Sequence, residues 1–273
     1  FEKLFSKLHN SAFSTTTSSG TSSLELAFKV IKMKKEGYVL VPDLTFGATL
    51  NAVINAGLIP IICPIREDDF SIDLSKISSE ILEKTAAVCV VHLYGSGSNI
   101  ADIIKLKEKY NFYIVEDCAE ALGSKFNGIP LGSFGDISTY SFFGNKLITT
   151  GEGGMLITRN KEFFDNVNLI KNHGMSPHKK YWHEVVGTNA RMTNIQAAIG
   201  LGQLENLESV VDRKRDIHKL YYKRLSKLEP LLKIWHEFDN FYSSYWLNIV
   251  SIQNKSKVKI IISEAKKRHI DLR

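Results

Sequence analysis

The 273-residue sequence predicts an α/β protein: a mostly parallel sheet with helices on both faces, followed by a smaller α+β unit. Three observations carry this. Short, nearly continuous apolar runs alternate with helical patterns, as strands covered on both faces do. The helical stretches space their apolar residues three and four apart, so that Leu24, Ala27, Phe28 and Ile31 form one buried stripe. After Gly187 the alternation gives way to one long helical pattern.

In chain order, strands are expected at 38–41, 59–65, 86–93, 112–115, 138–143 and 155–158, each a run of apolar residues bounded by polar or turn-forming ones. Helices are expected at 24–35, 48–56, 74–83 and 100–110. The Ser/Thr-rich run 14–23 leads straight into the first helix and reads as a loop and cap. From 193 to 228 the pattern is helical, with Ala197, Leu201, Leu204, Leu207 and Val211 on one side, as in a long connecting helix. A strand at 245–252 and a helix at 258–268 follow. A boundary near Glu208 divides a large domain, 1–208, from a small one begun at 209–273. That second domain is expected to be incomplete, because the chain opens at Phe1 and stops at Arg273 in mid-pattern.

Composition narrows the function classes. Hydrophobic content of 44% and charged content of 23% suit a globular enzyme rather than a disordered or fibrous chain. A net charge of +6 favours a polyanionic small molecule, such as a phosphate ester or nucleotide. Nucleic acid is disfavoured, since the lysines are spread along helices rather than clustered with aromatics. Cys63, Cys89 and Cys118 lack metal-ligand spacing and make no disulfide framework, which points to a reducing cytoplasm. No apolar run approaches the ~18 residues of a membrane span.

The residues that could carry chemistry begin with Lys146, in S-F-F-G-N-K just before T-T-G-E-G-G. A lysine set among Phe142, Phe143, Leu147 and Ile148 would lose hydration, which favours the free amine a Schiff base needs. A solvated surface lysine is the alternative. Residues 18–23, S-S-G-T-S-S, feed a helix whose free N–H groups make an anion site, with Gly20 allowing close approach and the Thr21 and Ser22 hydroxyls adding donors. An ordinary N-cap uses the same residue types.

Asp117 lies just past the strand 112–115, where α/β sheets bind ligands, and its carboxylate could hold a proton on a heterocyclic nitrogen. A helix cap or a strand-end ion pair would look the same. Phe46 in P-D-L-T-F is placed to stack on a planar ring, although an isolated Phe is more often core. The turn G-E-G-G at 151–154 needs positive φ whether or not it binds anything. Together these describe a phosphate cup, a pyridinium partner, a stacking face and an amine nucleophile. Pyridoxal 5'-phosphate (PLP) requires those four things of a protein.

At this level the chain resembles the DegT/DnrJ/EryC1/StrS sugar aminotransferases, and within them the 4-amino-sugar transaminases. The resemblance rests on S-G-T at 19–21, P-D-L-T-F at 42–46, V-H-L-Y-G at 91–95 and E-D at 116–117. It continues through S-F-F-G-N-K-L-I-T-T-G-E-G-G at 141–154, H-G at 173–174 and G-T-N-A-R-M-T-N-I-Q-A-A-I-G at 187–200. It implies the PLP-dependent transferase fold of type I, as in aspartate aminotransferase. It further implies that Lys146 bonds the cofactor and Asp117 pairs with its pyridine nitrogen. Phe46 and Ala119 would cover the two ring faces, and Thr21, Ser22 and Ser141 would hold the phosphate.

Glu120 stands where many members have a glutamine near the phenolic oxygen. Asn189 would reach the phosphate of a neighbouring subunit in a homodimer with shared active sites. Thr188 and Ala190 flank it where the family carries aromatics. The implied reaction moves an amino group from glutamate to a keto group of a nucleotide-linked deoxysugar, most simply a 4-keto-6-deoxy sugar for surface polysaccharide. A sugar dehydratase of the same fold is one alternative; it is expected to carry histidine in place of Lys146. A truncated, non-catalytic pyridoxal-binding homologue is the other.

Overall fold

The computed structural model describes residues 1–96 and 100–272. Its elements run α1 (Glu2–Leu8), β1 (Phe13–Thr17), α2 (Gly20–Lys32), β2 (Tyr38–Pro42), α3 (Gly47–Asn55), β3 (Ile59–Cys63), α4 (Ser79–Glu83), β4 (Thr85–Val91), α5 (Ile100–Tyr110) and β5 (Tyr113–Asp117). Next come β6 (Lys125–Phe126), β7 (Ile129–Pro130), β8 (Ile137–Ser141), β9 (Gly154–Thr158), α6 (Lys161–Lys171), α7 (Asn194–Glu205) and α8 (Leu207–Leu225). The last are β10 (Leu232–Ile234), β11 (Phe241–Tyr242), β12 (Val250–Ile252) and α9 (Lys255–Lys267).

Seven strands form the central sheet in the order β1-β9-β8-β5-β4-β2-β3. The pairs from β8 to β3 are parallel, and β9 runs antiparallel between β1 and β8. The interior strands justify their sequence. In β4 the six residues from Thr85 to Val90 are all buried, as a strand covered on both faces requires. One face is closed by α2, whose Leu24, Ala27, Phe28 and Ile31 join a cluster with Val39, Val41, Cys89 and Val115. Phe163, Val167 and Ile170 of α6 enter the same cluster. The other face carries Leu40, Val88, Val90 and Ile114 against Ile100 and Ile103 of α5.

Several expected spans are corrected. The run 14–23 is not all loop. Phe13–Thr17 is a strand paired with β9, its polar side chains satisfied locally: Thr15 donates to Asn168 and Thr17 shares a hydrogen bond with Ser23. The helix expected at 74–83 divides into a 3-10 turn, Leu74–Lys76, and α4, because Asp73 and Ser78 each cap a separate start. The long helix expected over 193–228 is two, α7 and α8, broken at Asn206. Of the strand expected at 245–252 only Val250–Ile252 is extended in a sheet; Tyr245 has φ 45°. Asp117 closes β5 rather than following it, paired with Thr139 and Val91.

The chain after α8 packs back on what precedes it. Strand β11 pairs with β6, and Trp235, Phe241 and Tyr245 share a cluster with Phe5, Tyr140 and Phe142. No helix among the described residues is long and apolar enough to cross a membrane.

Candidate active site

The parallel strands β4, β5 and β8 end on one edge of the sheet, and their last residues point one after another into a single cavity of about 390 Å³. Val91 and His92 come from the end of β4, Asp117, Ala119 and Glu120 from the end of β5, and Ser141 from the end of β8. The wall opposite is the start of α2, with Ser19, Gly20 and Thr21. Lys146, Phe46 and Trp246 complete it.

The start of α2 is a cup by construction. Ser19 is the N-cap, and its Oγ accepts from Ser22 N–H at 3.1 Å while its carbonyl accepts from Ser23 N–H. The N–H groups of Gly20 and Thr21, which an α-helix cannot satisfy internally, remain for a ligand. Glycine at position 20 is required by closeness: a Cβ there would stand 2.7 Å from Ser141 Cβ. Gly154 is required for the same kind of reason, since its Cβ would stand 2.4 Å from Ser19 O. The cap of α2, the end of β8 and the start of β9 thus meet in backbone contact. The Ser22 hydroxyl, expected in the cup, hydrogen-bonds Ser18 and Ser19, and Ser22 does not itself line the cavity.

Asp117 is buried, accepting from Thr49 Oγ1 and from Ala119 N–H, both at 3.1 Å. Burial pushes its carboxyl above the usual range, only partly offset by those two donors and by Lys146 and His92. A carboxylate so placed gains most from a cationic partner delivered into the cavity. Its neighbour Glu116 is satisfied from every side. It accepts from His92 Nε2–H at 2.8 Å and from the N–H groups of Gly132, Phe134 and Gly135. Burial alone would raise the Glu116 carboxyl, but these donors hold it below its ordinary value. Cys118 lies near this pair, yet Glu116 has no free oxygen to give a metal.

Lys146 does not sit in the apolar nest expected for it. Phe142 and Ile148 turn into the core and Phe143 is exposed. Its Nζ stands 3.7 Å from Glu120 Oε1 and 4.3 Å from the centre of the Trp246 ring. Burial raises the Glu120 carboxyl, partly offset by Tyr94 N–H, which donates to Oε2 at 2.7 Å, and by Lys146. Phe46 is the N-cap of α3 and stands 76% exposed at the cavity mouth. Asn189 lies outside the cavity on an exposed stretch, its Oδ1 accepting from Arg191.

The sequence reading missed Thr49, His92 and Trp246. His92 lies within V-H-L-Y-G, and Thr49 three residues past P-D-L-T-F. Trp246 has no local signal, because it arrives from 101 residues beyond Asn145, whose carbonyl it binds.

The donor set fits PLP. A helix N-terminus with a serine hydroxyl suits a phosphate dianion, a buried carboxylate suits a protonated ring nitrogen, and a lysine between them suits an aldehyde.

Comparison with known proteins agrees. The sequence pattern of the DegT/DnrJ/EryC1/StrS aminotransferase family matches residues 1–273. The chain is 41% identical over 247 residues to GDP-perosamine synthase of Escherichia coli O157:H7, covering 90% of this chain and 67% of that protein. It is 36% identical over 258 residues to GDP-perosamine synthase of Vibrio cholerae, covering 94% and 70%. The PLP form of Spr1654 from Streptococcus pneumoniae superposes with a TM-score of 0.90 at 26% identity, covering 98% of this chain and 74% of that one. The chain belongs to the DegT/DnrJ/EryC1/StrS aminotransferase family, PLP-dependent enzymes that aminate sugars.

Proposed function

We propose that this protein moves an amino group from L-glutamate to the 4-keto carbon of a nucleotide-linked 6-deoxy sugar. The observation that carries the reading is that Lys146 and Asp117 line one cavity with the open N-terminus of α2. Likeness to two GDP-perosamine synthases supports the sugar class.

Each side chain then has a task. The Gly20 and Thr21 N–H groups and the Ser141 hydroxyl hold the phosphate of PLP. Asp117, fixed by Thr49 and Ala119 N–H, keeps a proton on the ring nitrogen. Phe46 and Ala119 bound the ring on its two faces. When bound, PLP supplies an aldehyde that condenses with amines and a ring that accepts the electron pair left on carbon. Lys146 Nζ, freed when the donor amine takes its place, would take the proton from the donor's α-carbon and deliver it across the nitrogen to the carbon that was the cofactor's aldehyde. Glu120, 3.7 Å away, keeps that amine oriented.

The assembly we propose is a homodimer in which Asn189 serves the partner's phosphate site. Val186 at 98% exposure and Phe46 at the mouth are large apolar side chains that a second copy would cover. Residues 209–273 belong, in this reading, to a second, smaller domain. The three buried free cysteines and a nucleotide-linked substrate fit the cytoplasm.

The test is a panel of 3-keto and 4-keto sugar nucleotides assayed with glutamate. Amination of a 4-keto-6-deoxy substrate is the expected result. Turnover of none, with no half-reaction with glutamate either, would refute the reading. Light scattering that finds a fully active monomer would refute the shared site alone.

A further inference from the structure

Trp246 is buried, 5% exposed, yet it belongs to none of the three hydrophobic clusters among the described residues. Its contacts lie with the lysine turn instead. The indole N–H donates to Asn145 O at 2.8 Å, and the ring centre is 4.3 Å from Lys146 Nζ. Glu120 Oε1 approaches the same amine at 3.7 Å. The lysine is therefore held between a carboxylate and an aromatic face.

The four residues from Ser243 to Trp246 are held in place with unusual thoroughness. Ser243 Oγ and Ser124 Oγ both donate to Gly95 O, at 2.9 and 3.0 Å. Ser244 N–H donates to Ser124 Oγ at 3.0 Å. From α8, Arg215 donates to Ser243 O at 2.6 Å and Lys214 to Trp246 O at 3.1 Å. Gly95 packs so closely that a Cβ would stand 3.2 Å from the backbone nitrogens of Tyr245 and Trp246.

Tyr245 itself takes φ 45°, a costly region for a bulky residue, with its ring stacked 3.6 Å from His218. Backbone strain that is over-determined by its surroundings fits a stretch serving a site more readily than a connecting loop.

We propose that Trp246 is a positioning residue for Lys146: its N–H fixes the turn carrying the lysine, and its ring face seats and shields the amine. This rests on Lys146 being the reactive amine. It makes the stretch 243–246, beyond the expected boundary at 208, part of the apparatus that sets the reaction.

Two variants separate the two contacts. Trp246→Phe keeps a ring face and removes the N–H; Trp246→Leu removes both. Four quantities are measured on the 273-residue chain: kcat and KM for the glutamate half-reaction, melting temperature, and the rate at which an amine reagent labels Lys146 without cofactor, with Lys84 as internal reference. Trp246→Phe should lower kcat about 3- to 30-fold, with KM within about twofold and Lys146 labelling unchanged. Trp246→Leu should lower kcat further and speed Lys146 labelling several-fold, with Lys84 unmoved.

Unchanged kcat in Trp246→Phe, or wild-type Lys146 labelling in folded Trp246→Leu, would overturn the proposal. If Trp246→Leu melts before assay, the Trp246→Phe result decides. The labelling needs no turnover, so it tests the contact even if the aminotransferase reading fails; a fully active Lys146→Ala would mark that other failure.

Discussion

Replacing Gly20 by alanine tests the phosphate cup most sharply, because the structure states what the added methyl meets. A Cβ at position 20 would stand 2.7 Å from Ser141 Cβ and 3.2 Å from Ser141 Cα. To reach an ordinary contact of 3.4 Å, the start of α2 and the end of β8 must part by at least about 0.7 Å. Both are pinned: β8 by pairing to β5 and β9, and α2 by the Ser19 cap. The strain should cost about 1–3 kcal/mol of stability. The larger effect falls on the ligand, since hydrogen bonds to a charged group are worth roughly 1.5–3 kcal/mol each and weaken when donors move apart.

We expect the PLP dissociation constant of Gly20→Ala to rise about 10- to 100-fold. Gly202→Ala is the control: it adds the same methyl inside a helix with nothing within 4 Å, and should stabilise by about 0.5–1 kcal/mol without touching affinity. Absorbance titration of the cofactor, with melting curves, reads both quantities. Wild-type PLP affinity in Gly20→Ala would refute the cup as described.

Other outcomes follow from the charges. Because burial raises the Asp117 carboxyl in the folded chain, its stabilising contribution is present below the unfolded carboxyl value and is lost as pH rises. Cofactor-free Asp117→Asn should therefore be at least as stable as wild type near neutral pH, while PLP raises its melting temperature less; equal PLP stabilisation in both would contradict the pairing. His9 runs the other way. Burial lowers it from 6.5 to about 4, so stability present above the unfolded value is lost as pH falls through that window, by about 3 kcal/mol. Denaturant melts of His9→Gln should lose most of that slope between the two values. Glu120→Gln removes the carboxylate beside Lys146 and keeps an acceptor for Tyr94 N–H; the acid limb of its kcat profile should move, and an unchanged profile would remove Glu120 from the proton inventory.

Much of the architecture was legible because its signals are local. The interior strands are runs of Val, Ile, Ala and Cys that only a doubly covered sheet explains, and β2 and β4 came within two residues of their true ends. Strand β1 was not legible, since F-S-T-T-T carries no apolar alternation; tertiary hydrogen bonds to Asn168 and Ser23 make its polar residues acceptable in a sheet. Helix α6 was overlooked although Asn160 caps it and Phe163, Val167 and Ile170 mark its buried face.

In the site, Lys146, Asp117, Phe46 and Ser141 stood in motifs that the sheet edge gathers into one cavity. Thr49 and Trp246 act across long separations, where no spacing rule applies. The expected apolar setting of Lys146 differed for a related reason: Phe142 is buried in the core while Phe143 is half exposed on the cavity wall, and the groups nearest the amine, Glu120 and Trp246, come from elsewhere in the chain.

The measurement that bears most directly on the whole account is borohydride reduction of the PLP-loaded chain followed by peptide mapping. One pyridoxyl group is expected, on the peptide containing Lys146, lost on prior incubation with glutamate and absent from Lys146→Ala. Label on another lysine, or none at all in a protein that binds PLP, would contradict it.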